Sequence, residues 1–120
     1  MKFLCYAKCS TCQKASKWLK DRGVSFTSRC IKSDNPRPDE LIEWFRRSGL
    51  PLKRFFNTSG QAYRELGLTG KLADMSEAQQ IALLATNGML LRRPILVGDD
   101  FVLVGFKEEE WSEALEGCSS

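Results

Sequence analysis

Tyr6-Ala7-Lys8-Cys9-Ser10-Thr11-Cys12-Gln13-Lys14-Ala15 is the stretch that decides how the rest of the chain is read. Two cysteines with two residues between them have the spacing that allows a disulfide across one turn at a helix start. Upstream, Phe3-Leu4-Cys5-Tyr6 reads as a short buried strand, and downstream Ala15, Trp18 and Leu19 fall on one face of a helix. The motif therefore sits on a strand-loop-helix corner. Ser10 followed by Gln13 has capping-box spacing, which puts Ser10 at the N-cap, Cys9 just outside the helix and Cys12 in its first turn. Free backbone N–H groups and the positive end of the helix dipole then face the Cys9 sulfur and favour its thiolate. Lys8 and Lys14 add positive charge nearby. The same two cysteines can also be read as zinc ligands or as small buried hydrophobes. Zinc wants two more ligands, and the chain has no histidine and no second pair of this spacing. Redox or nucleophilic chemistry is the favoured reading.

Working outward, 120 residues suffice for one hydrophobic core, and the expectation is a single domain over residues 1–120. The formal charge of +3 comes from 18 basic and 15 acidic residues that are interspersed, too weak a bias to argue for direct nucleic-acid binding. The first residues reach Lys8 without an apolar run long enough for a signal peptide or membrane span, so a cytoplasmic protein is expected. In a reducing compartment five cysteines suggest one catalytic pair plus free thiols. Cys5 and Cys30 fall in expected strands and are assigned to the core, and Cys118 to a mobile tail of residues 117–120. Without histidine no Cys-His or Ser-His pair can be built, which excludes papain-like hydrolysis. Activation of a thiol must come from the helix terminus, from Lys or Arg, or from burial.

After the first helix Gly23 reads as its C′ residue, and Val24, Phe26 and Cys30 recur at even positions as in a strand with one buried face. The opening is a βαβ unit with parallel strands. Pro38-Asp39-Glu40 starts a helix whose apolar face is Leu41, Ile42 and Phe45 and which stops at Gly49; Trp44 is read as packed rather than as a partner surface. The polar turn Asn57-Thr58-Ser59-Gly60 leads into a short helix from Gln61 to Leu66. Ser76 with Gln79 repeats the capping box ahead of Ala78, Ile81, Ala82 and Ala85. Residues 37–90 thus read as a helical insert. Ile95-Leu96-Val97 and Phe101-Val102-Leu103-Val104 flank a Gly/Asp turn and read as a hairpin, followed by a helix from about Lys107 with Trp111, Ala114 and Leu115 on one face. Its Glu108, Glu109 and Glu110 suit the dipole of a first turn and are not taken as a metal site. The order βαβ, helices, ββα is that of an α/β thioredoxin-like fold with a mixed central sheet.

With these pieces placed, the chain resembles the arsenate-reductase-like and Spx branch of the thioredoxin-fold superfamily over nearly its whole length. The resemblance is carried by the opening stretch, by Lys53-Arg54-Phe55-Phe56-Asn57-Thr58-Ser59-Gly60 with Tyr63-Arg64-Glu65-Leu66, by Gly88-Met89-Leu90-Leu91-Arg92-Arg93-Pro94-Ile95-Leu96, and by Val104-Gly105-Phe106-Lys107. It implies that Pro94 resembles the family's cis-proline facing the active-site cysteine. It also implies that Arg93 resembles the arginine that binds a substrate oxyanion and lowers the thiol pKa, a role that planar guanidinium donors suit. Ser10 and Thr11, at the helix N-terminus, join Arg93 and Pro94 as candidate oxyanion-binding residues. Departures are visible as well. Asn57 stands nearest the first of three arginines found around the oxyanion in glutaredoxin-linked arsenate reductases, the arginine after the hairpin is replaced near Val104-Gly105-Phe106, and Cys5 stands close to a family histidine. One guanidinium, Arg93, is left to hold a multiply charged anion.

Two functions follow from the resemblance. The first is an arsenate-reductase-related thiol-disulfide oxidoreductase in which Cys9 is the nucleophilic thiolate and Cys12 the resolving thiol, ending in a Cys9–Cys12 disulfide. No bound cofactor or metal is expected, and glutathione, glutaredoxin or thioredoxin would serve as reductant. The second is a Spx-like redox-sensing regulator that binds RNA polymerase through the C-terminal domain of its α-subunit. Neither reading requires a membrane.

Overall fold

The computed structural model describes residues 1–118, with side chains through Glu116. Strand β1 (Lys2–Cys5) leads into helix α1 (Ser10–Asp21) and strand β2 (Thr27–Cys30). Between β2 and the next strand lie helix α2 (Pro38–Ser48), helix α3 (Gln61–Glu65) and helix α4 (Glu77–Thr86), with 3-10 turns at Leu52–Phe55, Leu72–Asp74 and Gly88–Leu90. The hairpin of β3 (Ile95–Val97) and β4 (Val102–Val104) and helix α5 (Glu108–Cys118) complete the chain. The sheet order is β2-β1-β3-β4, with β1 parallel to β2 and antiparallel to β3, and β3 antiparallel to β4. This is the mixed sheet of a thioredoxin-like fold. No helix among the described residues is long and apolar enough to cross a membrane.

Strand alternation sends side chains to opposite faces and gives the sheet two cores. Leu4, Ile95, Val97, Val102 and Val104 pack with Leu41, Trp44, Phe55, Phe56, Ile81 and Leu84 of the inserted segment. Phe3 and Leu96 pack on the other face with Ala15 and Leu19 of α1 and Trp111 of α5. Trp111 is fully buried, meets Phe106 edge-on and donates its indole N–H to the Gly105 carbonyl at 2.9 Å. Trp44 is buried, in keeping with its helical spacing.

Local chemistry explains most of the boundaries. Pro38 opens α2 with Asp39 and Glu40 in its first turn, and Gly49 closes it at φ 69°, in the left-handed region glycine favours. Ser76 and Gln79 form the expected capping box at α4, with Ser76 Oγ accepting from the Gln79 N–H at 3.1 Å and Gln79 Oε1 accepting from the Ser76 N–H at 2.9 Å.

Four expectations are corrected. Ser10 is not the cap of α1: Cys9 occupies that position, with extended φ and ψ of −89° and 117°, and the Gln13 amide donates to the Ala7 carbonyl at 2.9 Å instead of closing a box. Strand β2 begins only at Thr27, because its partner β1 begins at Lys2 and leaves Val24 and Phe26 nothing to pair with. Those two residues instead pack, half-buried, beside Phe3. Cys5 and Cys30 are only partly buried, since they are the last pair of the β1–β2 ladder, at the end of their strands. Finally, residue 118 belongs to α5 rather than to a tail from 117; residues 119 and 120 and the side chain of Cys118 lie outside the described residues.

The middle of the inserted segment is pinned to the stretch that leads into β3. Phe56 and Leu91 form an isolated antiparallel bridge, the Asn57 N–H donates to Leu90 O at 2.8 Å, and the Arg92 N–H donates to Phe55 O at 2.9 Å. The turn carrying Arg54 is thereby laid beside Arg92 and Arg93, opposite the N-terminus of α1.

Candidate active site

The corner between β1 and α1 delivers Cys9 to the end of the sheet, where the Cys9 N–H donates to Tyr6 O at 3.0 Å and the Gln13 N–H donates to Cys9 O at 3.1 Å. Cys9 is half-buried and Cys12, one turn into α1, is buried at 3% exposure. Both are free thiols. The Tyr6 N–H points at Cys12 Sγ, 3.4 Å away, so the residue that follows β1 fixes the second sulfur.

The two thiols have opposite acidities. Burial opposes ionisation of Cys9, yet the Cys12 backbone N–H, the Cys12 thiol and the Arg93 guanidinium outweigh it and hold Cys9 below the ordinary thiol range. Cys12 is pushed up to about 12, first by burial, against the Tyr6 N–H and with the neighbouring Cys9 and Cys5 sulfurs adding to the rise. One thiol is poised as the anion and the other as a proton donor to it.

Arg93 is held for this contact from several sides. Its Nη1 donates to Met89 O and Leu91 O, both at 3.4 Å, and its guanidinium lies 5.4 Å from the centre of the Tyr6 ring. Its Nε is buried without a partner. The Arg93–Pro94 peptide is cis, Pro94 is buried, and its carbonyl accepts the Gly105 N–H at 2.9 Å.

In front of Cys9 lies a cleft of about 280 Å³ whose walls include Thr11, Arg54, Asn57, Arg92, Arg93 and Lys107. Cys9, Thr11 and Arg93 therefore share one space, while Cys12 sits behind it, and neither Ser10, which is exposed, nor Pro94 lines it. Lys8 and Lys14 do not line it either. The expectation that a single guanidinium serves the site is corrected: Arg54, Arg92 and Lys107 join Arg93, so the cleft carries four cationic side chains and no carboxylate among its lining residues. Such a cleft suits an anion, and its bidentate guanidinium donors suit oxygen-rich ones. Arg54 and Lys107 stand in the sequence blocks that carry the family resemblance, but their convergence depends on the bridge between Phe56 and Leu91 and on the turn after β4, which no local pattern announces. The adjacent pairs Lys53-Arg54 and Arg92-Arg93 are the available signal.

Comparison with known proteins gives the family. The model of the ArsC family matches residues 4–114. The uncharacterized protein YusI of Bacillus subtilis is 48% identical over 111 residues, covering 92% of this chain and 94% of its own. The global transcriptional regulator Spx 2 of Bacillus anthracis is 26% identical over 104 residues, covering 87% of this chain and 78% of its own. Among solved structures, an ArsC family related protein from Bacteroides fragilis superposes with a TM-score of 0.91 at 57% identity, covering 93% of this chain and 94% of that one. A possible arsenate reductase from Streptococcus mutans superposes with a TM-score of 0.85 at 40% identity, covering 92% and 96%. A family match over most of the chain, together with so close a superposition on a related protein of that family, makes this protein a member of the ArsC family.

Proposed function

We propose that the chain is an arsenate-reductase-related thiol-disulfide oxidoreductase in which Cys9 is the nucleophile and Cys12 the resolving thiol. The observation that carries this reading is the acidified Cys9 opening into a cleft lined by Arg54, Arg92, Arg93 and Lys107, with a second thiol held one turn behind it. The Cys9 thiolate attacks an oxidised sulfur or arsenic centre and forms an Sγ–X bond, displacing the partner thiolate from a disulfide sulfur or, from arsenate, one oxygen that takes up protons and leaves as water. Cys12 then loses its proton and attacks Cys9 Sγ; the S–X bond breaks, X departs with the electron pair, and a Cys9–Cys12 disulfide remains. X is reduced by two electrons and the protein pair is oxidised by two. Consuming the Cys9 anion also removes one of the charges that raises the Cys12 pKa, so the resolving thiol becomes easier to ionise at the step that needs it. Thr11, Arg93 and the helix N-terminus, to which Ser10 belongs, hold the developing negative charge, and the cis peptide before Pro94 sets the course of the chain at Arg93. Glutathione, glutaredoxin or thioredoxin returns the disulfide to thiols.

The test is a redox titration of the purified protein in a glutathione buffer, with and without arsenate, following the masses of the Cys9 and Cys12 peptides. A reversible disulfide whose formation arsenate drives supports a reductase; one indifferent to arsenate retains an oxidoreductase of other substrates. Cys9→Ser abolishes turnover and Cys12→Ser accumulates a mixed adduct on Cys9. Full activity in Cys9→Ser refutes the assignment.

Relatives named as Spx regulators favour a second reading, in which the same cysteine pair is a redox sensor and the protein binds RNA polymerase through the C-terminal domain of its α-subunit. Stoichiometric binding to that isolated domain, with no turnover of any thiol substrate, would replace the enzyme reading with this one.

A further inference from the structure

We propose that Cys5 and Cys30 form a second redox-active thiol pair, oxidised to a disulfide by a low-molecular-weight disulfide such as glutathione disulfide. Neither residue lines the cationic cleft, and neither is part of the fully buried core. They are direct partners in the register of β1 and β2, the last pair of that ladder. Neighbouring strands lie about 4.8 Å apart, and partners in a parallel pair project to the same face. That separation falls within the roughly 4.4 to 6.8 Å between α-carbons that a disulfide spans. β2 is an edge strand, paired only to β1, so movement of its end to bring the two sulfurs into bonding contact displaces no further strand. Among the described residues no third metal-ligating side chain joins the two, so a metal centre does not compete for them.

Their environments divide the two steps of an exchange. The Ser33 hydroxyl and the backbone N–H groups of Ser33 and Lys32 stabilise the Cys30 thiolate and lower its pKa, whereas burial, with the Cys30 and Cys9 sulfurs, raises that of Cys5. Cys30, on the open edge, is thus the sulfur that attacks first. Its thiolate attacks one sulfur of glutathione disulfide, breaking the S–S bond, releasing a glutathione thiolate and leaving a Cys30–glutathione mixed disulfide. Cys5 gives up its proton to solvent and attacks Cys30 Sγ, and the second glutathione thiolate leaves. Two protein thiols are oxidised, one glutathione disulfide is reduced to two glutathione molecules, and the two protons lost by the protein end on those two thiols.

The experiment uses the tryptic map of the chain. Cleavage after Lys2, Lys8, Lys14, Arg29 and Lys32 separates Cys5 in residues 3–8, Cys9 with Cys12 in residues 9–14, and Cys30 in residues 30–32. The full chain and a Cys9→Ser/Cys12→Ser variant are equilibrated across a series of glutathione buffers, free thiols are alkylated, and the digest is read by mass. The expected product in both is peptide 3–8 joined to peptide 30–32 with the loss of two hydrogens, reversed by excess glutathione; in Cys5→Ser, Cys30 stops at the glutathione mixed disulfide. Cys30 remaining a mixed disulfide at every ratio while Cys5 stays alkylatable overturns the proposal, as does linkage of Cys5 to peptide 9–14. Should the double variant fail to fold, the unmodified chain decides the matter equally well, because the three peptides are distinct. The double variant reads Cys5 and Cys30 with Cys9 and Cys12 removed, so the failure of either proposal leaves the other standing.

Discussion

Cys9 and Cys12 are one helical turn apart, yet one is held toward the anion and the other toward the neutral thiol. The difference is geometric: Cys9 is the N-cap residue, where unpaired N–H groups and Arg93 converge, whereas Cys12 is buried inside the first turn. It follows that alkylation of Cys9 by iodoacetamide gains its full rate at a lower pH than an ordinary thiol, because the reactive species is the thiolate. Arg93→Leu removes one of the groups that lowers this pKa, so the rate profile shifts to higher pH while the plateau rate stays comparable. An unchanged midpoint in the variant would leave the Cys12 backbone N–H and the Cys12 thiol as the sources of activation. At this scale the sequence is informative wherever chemistry is local. The cysteine spacing marks both thiols, and the Arg-Arg-Pro block marks Arg93. Ser10 has the spacing of a cap without being one, because capping-box spacing says which residue types can close a box and not where the helix begins. Arg54 and Lys107 are not legible as site residues because they come from parts of the chain far from Cys9 and Arg93, and Arg92 is marked only by standing next to Arg93.

The inserted segment illustrates why elements are easier to read than their docking. Helix types and most boundaries follow from caps, glycines and apolar spacing, and the hairpin from its Gly/Asp turn. How the segment seats on the sheet does not, since that depends on contacts between residues far apart in sequence. Gly88 is one such contact. A Cβ built there would lie 1.9 Å from the Ile31 carbonyl oxygen and 2.6 Å from Asn35 Oδ1. The first is backbone and cannot move aside, so Gly88→Ala must push the 3-10 turn after α4 away from the loop after β2. Overpacking of this kind costs about 1 to 3 kcal/mol, and the backbone obstacle places this case at the upper end. Chemical denaturation reads it as a lower midpoint with an unchanged slope. A wild-type midpoint would mean that the two segments are not in contact as described.

Across the whole molecule the insert and the sheet are joined by a charged contact that is largely shielded from water. Arg29 on β2 forks onto Glu40 in the first turn of α2, at 2.6 and 2.9 Å, with side-chain exposures of 16% and 13%. Glu40 also accepts the Arg37 N–H at 3.0 Å, and Arg29 donates to the carbonyls of Asp34 and Asn35, so the loop between strand and helix closes around the pair. Chiefly through Arg29, and against the opposing effect of burial, Glu40 is held at about 2, below its ordinary 4.5. A depressed carboxylate pKa stabilises the fold at every pH above the unfolded value, and that contribution disappears as pH falls through the folded one. The window is therefore from about 4.5 down to about 2, and the shift corresponds to about 3 kcal/mol near neutrality. Glu40→Gln keeps the shape and removes the charge, leaving the Arg29 guanidinium with its backbone acceptors and the exposed Asp34 at 3.3 Å. The expected cost is about 3 kcal/mol near neutral pH, the lower end for breaking a buried pair because those acceptors remain. The sharper expectation concerns slope: wild-type stability declines through the acid window more steeply than that of the variant, so the two curves converge as the pH approaches 2. Urea unfolding at a series of pH values measures both curves. A constant gap between them throughout the window would show that the pair contributes shape and hydrogen bonding without the linkage to protonation, and would place the origin of acid sensitivity elsewhere in the fold.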